Sequence, residues 1–259
     1  MALIVDADGK YLSGGSGSFG TGNTEVTVLV WTKSIDYTST GVFASFGPSS
    51  GTADTFNVGR APHWYLDGHI YPSNIDFRLN ASQLLSQENT TWHCLAVTHK
   101  QGVSIVGYVD GSARYTDTTE SAVAADYDSA MTNVMIGRGL DFGAVAWHTR
   151  ARIAHVAMWN KQLTGSEIGE LYNGGSGGAG KSPTAIQASN LKFYATLISD
   201  ATVHTGGVSL SATGSPSYDS DNPSVDAAGG GAGPGEDDLG GSAMTGGAGT
   251  AAAAFSIGL

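Results

Sequence analysis

Cysteine occurs once in the 259 residues, at Cys94, so no internal disulfide can staple the fold. Proline is also scarce, 7 residues against 38 glycines, which excludes a collagen-like repeat. Charged residues make up only 14% of the chain, too few for a coiled coil or a highly charged disordered chain. Basic residues are scarcer than acidic ones, 12 Lys and Arg against 23 Asp and Glu, for a net charge of −11. An acidic surface argues against duplex DNA or anionic lipid as the main partner and is compatible with sugars, divalent cations and other proteins. No apolar run approaches the ~18 residues that span a bilayer. The opening segment MALIVDADGKYLSG carries its apolar run only from Ala2 to Val5 and no basic region before it, unlike a secretory leader. The expectation is a chain that folds in a cytoplasm, without disulfides.

What is present is enough apolar material for a real core, 41% of residues, in a length that suits one large all-β domain plus an appendage. The appendage is marked by charge and composition. No Lys or Arg follows Lys192, while seven acids do: Asp200, Asp219, Asp221, Asp226, Glu236, Asp237 and Asp238. From Ala227 to Leu259 the chain is mostly Gly and Ala. Such a segment buries too little apolar surface by itself to offset its ordering entropy. Its end carries Phe255, Ile257 and Leu259 at alternating positions, as one face of a strand would. The division expected is therefore 1–226 for the folded domain and 227–259 for an arm.

Before the arm, the pattern is of strands. Glu25–Lys33, Gly41–Phe46, Trp92–His99, Val103–Val109, Val134–Gly137 and Ala151–Trp159 are short, β-branched or aromatic, and separated by turn residues. Trp92–His99 and Val103–Val109 form an expected hairpin, and the second strand ends at Asp110-Gly111, itself a strong hairpin-turn pair. Val26, Val28, Val30, Leu95, Val97, Ile153 and Met158 are strand positions, about half of them expected in the core. One segment departs from this period. Thr164-Gly-Ser-Glu167 is a capping box, Ile168, Leu171 and Tyr172 recur at helical spacing, and Asn173-Gly174-Gly175 stops the run. The two-turn helix so formed needs packing to persist, and is expected to plug an edge or end of a β-sandwich.

The order of these pieces resembles the laminin G / concanavalin A-like lectin superfamily. The residues that carry the likeness are Val26–Trp31, Thr91–Thr98, Val106–Gly111 ending in Asp-Gly, Met135–Arg138, Ile153–Asn160 and Leu163–Tyr172. It covers about Val5 to Tyr172, and Leu191–Leu197 through Gly214–Tyr218 resembles the closing strands. The resemblance implies an all-β jelly-roll β-sandwich of two antiparallel sheets, one of them concave. Members include glycan binders, protein binders, structural modules and some glycosidases.

Several groups of residues are candidates for chemistry. The glucanases of this superfamily carry Glu-x-Asp-x-x-Glu on one strand, which supplies a nucleophile and an acid. That triplet is absent here, so the chain is expected not to be an enzyme. Gly175–Ser182 spells a phosphate-loop pattern, but a helix precedes it and Pro183 follows it, so it is expected to be a flexible connector. His93 and His99 share a strand face, with His155 on another strand, and are expected to be core or surface residues. For calcium, which the resemblance implies at a sandwich rim, Asp6 with Asp8 and Asp219 with Asp221 are the candidate oxygen clusters. For sugar, Trp64, Tyr65 and Asp67, beside His63, offer an aromatic face with an adjacent carboxylate, and Trp147 offers another. Trp31, Trp92 and Trp159 lie in strand patterns and are expected in the core.

The function expected from all this is a non-catalytic structural or surface-recognition protein of a bacteriophage virion, such as a head decoration, fibre or tail-surface subunit. It would fold in the host cytoplasm and reach the virion surface by assembly. The alternative is a free glycan-binding lectin, with a glycosidase third. Phe255, Ile257 and Leu259 would anchor the arm on another copy or another virion protein, in an apolar groove or as a strand added to a sheet edge. Eleven glycines in 33 residues make the arm costly to order, at about 1–2 kcal/mol per residue, so repeated contacts with a neighbour are needed to hold it. Deleting residues 227–259 is expected to leave a soluble domain that melts cooperatively and no longer assembles. Normal assembly of the truncated protein, by sedimentation or electron microscopy, would show the arm to be a solvated tail.

Overall fold

The strand-forming runs pair into two antiparallel sheets. In the computed structural model the described residues are 2–35, 41–48, 56–61, 65–70, 75–78, 91–118, 131–139, 148–173 and 179–225, all within one compact unit, Met1–Gly229. The arm, including Phe255, Ile257 and Leu259, lies outside the described residues. So do Trp64 and Trp147.

The first sheet takes its strands from both ends of the domain. They are β1 (Ala2–Val5), β3 (Glu25–Ser34), β8 (His93–Lys100), β9 (Ser104–Val109), β10 (Ser112–Asp117), β12 (Ala151–Trp159), β13 (Leu191–Ala195), β14 (Val203–Thr205) and β16 (Ser217–Asp219). Their order is β10-β9-β8-β3-β12-β1-β16, with β13 pairing with β12 and β14. The second sheet runs β15-β2-β11-β4-β5-β6-β7. Its strands are β2 (Tyr11–Gly14), β4 (Gly41–Gly47), β5 (Phe56–Ala61), β6 (Tyr65–Ile70), β7 (Ile75–Arg78), β11 (Asn133–Ile136) and β15 (Ser211–Thr213). The expected jelly-roll sandwich is therefore the fold. The expected hairpin is also formed, as β8 and β9. At the next turn, Asp110 and Gly111 both have positive φ, 51° and 74°, the conformation a tight β9–β10 hairpin needs.

Two hydrophobic layers follow from strand alternation. Between the sheets, Val26, Val28 and Val30 of β3 meet Leu95 and Val97 of β8, and Leu12, Phe46, Phe56, Val134 and Ile136 of the second sheet. Phe19, Phe46 and Phe193 pack edge to face, with ring centroids 5.4–5.7 Å apart. The intervening residues of the first sheet face the other way. Leu29, Trp31, Cys94, Ala96, Tyr108, Ala157 and Trp159 form a second cluster with Leu163, Ile168, Leu171 and Ile186. The helix α1 (Gly165–Asn173) supplies Ile168 and Leu171 to that layer, and Tyr172 stacks on Trp31 at 5.8 Å. Each of the two buried aliphatic side chains contributes about 1.5–3 kcal/mol. The capping box forms as expected: the Thr164 amide donates to Glu167 Oε2 (2.7 Å) and the Glu167 amide donates to Thr164 Oγ1 (3.2 Å). The helix does not plug an edge or end. It covers the outer face of the first sheet, because that face is itself apolar.

The seven strand positions expected to divide between faces do not divide. All of Val26, Val28, Val30, Leu95, Val97, Ile153 and Met158 lie in the inter-sheet core. Ile153 and Met158 have opposite parity, and a β-bulge between Ala154 and Ala157 brings both inward. At its centre His155 sits at φ +48°, and its amide donates to the Thr196 carbonyl (2.8 Å). The bulge lies where β12 changes partner, from β1 at Ile153 to β13 at Val156.

His155 is 4% exposed, and its Nδ1 shares a hydrogen bond with the Tyr194 hydroxyl at 2.8 Å. Burial, with the charge of His204 adding to it, pulls its pKa from 6.5 down to about 4. The unfolded chain takes up a proton that the folded chain resists. Stability is therefore full above pH 6.5 and falls as pH drops towards 4, by about 3 kcal/mol from this group. His155→Asn keeps a residue that tolerates positive φ and removes the titration. Urea melts between pH 7 and 4 are expected to show a steep loss for the parent and a much shallower one for the variant. Parallel curves would show that His155 is not the source.

Candidate functional site

With the outer face of the first sheet covered by α1, the outer face of the second sheet is the natural place for a ligand. Its composition is set by cross-strand registry. Two registered rows supply core residues: Val134, Phe46 and Phe56 in one, and Leu12, Ile136, Ala44 and Val58 in the other. Between them the backbone register joins Ser211, Ser13, Met135 and Ser45 in an alternate row, which is partly exposed at the β15-β2-β11 end and buried at Ser45. It is polar apart from one thioether.

At the β15-β2-β11 end this row opens into a groove of about 340 Å³, lined by Ser13, Gly14, Gly15, Asn133, Val134, Met135, Ser209 and Ser211. Asn133 is held by donation from Nδ2 to the Pro48 carbonyl (3.0 Å). Gly14 has no room for a side chain, since a Cβ there would stand 2.3 Å from Val208 Cγ1. Hydroxyls, a fixed amide and a flat apolar thioether suit a polyhydroxylated ligand.

Of the residues expected to bind sugar, Tyr65 and Asp67 lie on β6. In the backbone register Asp67 stands opposite Gly59 on β5 and Arg78 on β7, and Tyr65 opposite Ala61. Ser13, Asn133, Met135, Ser209 and Ser211 were not legible as site residues, because none belongs to a local motif. Tyr11, Arg138 and His148 form a further group at the end of β2 and β11: Arg138 Cζ stands 5.0 Å from the centre of the Tyr11 ring.

The carboxylates considered for calcium fall in two places, each already with a cation. Asp6 pairs with Lys10 (2.7 Å) and Asp8 with Arg150 (3.4 Å). Asp219 accepts from Arg152 Nε (2.6 Å), and Asp221 accepts from Lys33 Nζ (2.6 Å) and Trp92 Nε1 (2.9 Å). The Lys33 ammonium first, then the Trp92 indole, hold the Asp221 carboxyl below its ordinary range against the effect of burial. Asp219 and Asp221 thus form a salt-bridge latch at the end of β16, and an ion at either cluster would displace a lysine or an arginine. Among the described residues no group of three or more His, Cys, Asp or Glu is placed to hold a metal. Trp92, expected in the core, is half-buried and serves this latch, while Trp31 and Trp159 are buried as expected.

Glycoside hydrolysis needs a carboxylic acid held protonated near neutrality. Among the described residues every carboxylate with a displaced pKa moves the other way: Asp6, Glu25, Glu167, Asp200 and Asp221 are all lowered. The end of the phosphate-loop pattern is likewise engaged elsewhere. Lys181 Nζ donates to Glu170 Oε2 (2.8 Å), and Ser182 caps the 3-10 turn 183–185. A Cβ at Gly180 would lie 2.2 Å from the Leu171 carbonyl oxygen, so this segment is packed tightly against α1. Of the histidines, His99 is buried in β8 and His93 Nδ1 meets Asp110 Oδ2 at 2.8 Å.

Comparison with known proteins agrees with this architecture. The family model Laminin_G_3, described as concanavalin A-like lectin/glucanases superfamily, matches residues 6–169, more than half the chain. The chain belongs to that superfamily. No curated protein matches the sequence. Among solved structures, the native heptameric SAP-like pentraxin of Limulus polyphemus is similar at 15% identity and a TM-score of 0.54, over 79% of this chain and 93% of that one. The CBM40 of Ruminococcus gnavus IT-sialidase, solved bound to α2,6 sialyllactose, is similar at 12% identity and a TM-score of 0.50, over 67% and 97%. At such identities the likeness is one of fold.

The latch carries the prediction here. Lys33 is mostly buried but Asp221 is 36% exposed, so solvent screening limits the pair. Asp221→Asn is expected to lower the melting temperature by roughly 2 °C at low salt and by less at high salt. A calcium-induced rise in the parent's melting temperature that the variant lacks would assign Asp221 to the metal instead.

Proposed function

We propose that this member of the concanavalin A-like lectin/glucanase superfamily is a non-catalytic recognition protein that holds a glycan on the outer face of its second sheet. The observation that carries the reading is the contrast between the two outer faces. The first sheet's is apolar and covered by α1. The second sheet's carries, at its β15-β2-β11 end, the polar groove lined by Ser13, Asn133, Met135, Ser209 and Ser211. Binding without hydrolysis agrees with the lowered carboxylates and with the missing glucanase triplet. The similar CBM40, solved with sialyllactose, supports a sugar as the class of ligand.

The setting we propose is the surface of a bacteriophage virion, as a decoration, fibre or tail-surface subunit. Its support is the composition of 227–259, a Gly/Ala arm ending in Phe255, Ile257 and Leu259, which suits assembly against a neighbour. A lectin acting free of any particle would need the same sugar face but no such arm.

A glycan array probed with the full chain tests the sugar face. Ser13→Phe fills the groove with a side chain that accepts no hydrogen bond from a sugar. It is expected to weaken binding about tenfold or more while the melting temperature moves by a few degrees at most. No reducing ends are expected from any glycan that binds. Unchanged binding by Ser13→Phe would move the site elsewhere, and reducing-sugar release lost on mutating one acid would make the protein a hydrolase.

A further inference from the structure

Next to the groove stands a cation, Arg138, with no carboxylate partner among the described residues. Tyr11 and Ser13 have the same parity on β2, so Tyr11 lies about 7 Å along the strand from the groove residue, on the same face. Gly137, the residue after β11, has a φ of +86° that turns the chain out of the sheet. A Cβ there would sit 2.9 Å from Val5 Cγ2. The turn brings Arg138 into an antiparallel bridge with His148, and the Thr149 amide donates to the Gly137 carbonyl (3.2 Å). The Arg138 guanidinium is thereby laid over Tyr11, 5.0 Å from the ring centre, with the His148 ring 6.2 Å from the same ring.

The neighbouring cations are matched. Lys10 pairs with Asp6, Arg150 with Asp8, Arg152 with Asp219 and Lys33 with Asp221. Arg138 has no carboxylate among the described residues, and its Nε is buried without a hydrogen-bond partner. With Nε buried, the two terminal Nη groups are the donors that a planar acceptor would meet. His148 adds a second donor. Its Nδ1 accepts from the Gly9 amide (3.3 Å), and burial and the Arg138 charge lower its pKa, so the neutral ring carries its proton on Nε2.

We propose that Arg138, stacked on Tyr11 and flanked by His148, is an anion subsite beside the sugar groove, and that the glycan bound is an acidic one, bearing a carboxylate or a sulfate ester. The inference rests on the reading of the second sheet as the glycan face and names its ligand class. A planar carboxylate or the oxygens of a sulfate can take two parallel N–H bonds from Arg138, while a neutral sugar leaves that edge unmatched. Long-range attraction does not explain such a preference, because a chain of net charge −11 repels polyanions in general.

The test is an array of neutral, uronic-acid and sulfated oligosaccharides, probed with the full chain and with Arg138→Gln and Arg138→Lys, each checked for a parent-like melt. The parent is expected to bind acidic glycans at least about tenfold more tightly than neutral ones of the same length, with an affinity that falls as salt rises. Arg138→Gln is expected to lose about that factor on acidic glycans and nothing on neutral ones. Arg138→Lys, which keeps the charge without the planar fork, is expected to recover only part of it. Dependence on Arg138 confined to the uronic-acid arm identifies a carboxylate, and dependence confined to the sulfated arm identifies a sulfate. Equal binding of neutral and acidic glycans, or an Arg138→Gln protein that matches the parent, overturns the anion subsite and leaves the glycan face standing. No binding to any glycan by the parent overturns both.

Discussion

Burial of the first sheet on both faces is the constraint on which the rest of the molecule depends. Its even positions on β3, Val26, Val28 and Val30, enter the core between the sheets, and its odd positions, Leu29 and Trp31, enter a second layer under α1. A sheet with two apolar faces cannot stand in water, so the helix has to lie on it, and the Trp31–Tyr172 stack is part of how it is held. One face of the second sheet closes the core, and the other carries polar positions that are partly exposed at the β15-β2-β11 end and buried at Ser45 on β4. The proposed division of labour between the two sheets, one structural and one for recognition, rests on that asymmetry.

The same asymmetry orders the charges. Around the first sheet and its helix, acids and bases neutralise one another: Glu25 with Lys100, Asp219 with Arg152, Asp221 with Lys33 and Glu170 with Lys181. These pairs hold strand ends and the chain after α1 in place, and the lysines beside Glu25 and Asp221 lower those two carboxyls. At the end of β2 and β11 the matching breaks off, and Arg138 is left against an aromatic ring. A protein with an acidic surface thus presents a local cationic edge, and a binding face gains selectivity from a charge of the sign the rest of the surface opposes.

Strain is also confined. His155 takes a left-handed conformation in the middle of a buried strand, where bulky residues seldom do. The bulge lets β12 pair with β1 over its first half and β13 over its second while keeping Ile153, Val156 and Met158 in one core. A regular strand would have sent Val156 and Met158 outward. The cost is a neutral histidine held between Tyr194 and the backbone, and a stability that depends on pH.

Local signals in the sequence determined the strands, the Asp110-Gly111 turn, the Thr164–Glu167 cap and the fold class, because each depends on residues a few positions apart and the turn, cap and period-2 rules act at that range. The helix was legible too, but not its seat, since what it covers is a face assembled from β3, β8, β9 and β12. For the site, Tyr65 and Asp67 were legible as an aromatic beside a carboxylate, and the backbone places both on β6 of the second sheet. The groove itself was not, because Ser13, Asn133, Met135, Ser209 and Ser211 come from three strands and a loop and no one of them is distinctive. Nor was the pairing of Asp221 with Lys33, 188 residues apart, or of Asp219 with Arg152. Those four charges read alone as oxygen ligands and surface cations. Only registry between strands brings them together, and registry is decided by which faces must be buried, a property of the whole sandwich rather than of any one stretch of chain.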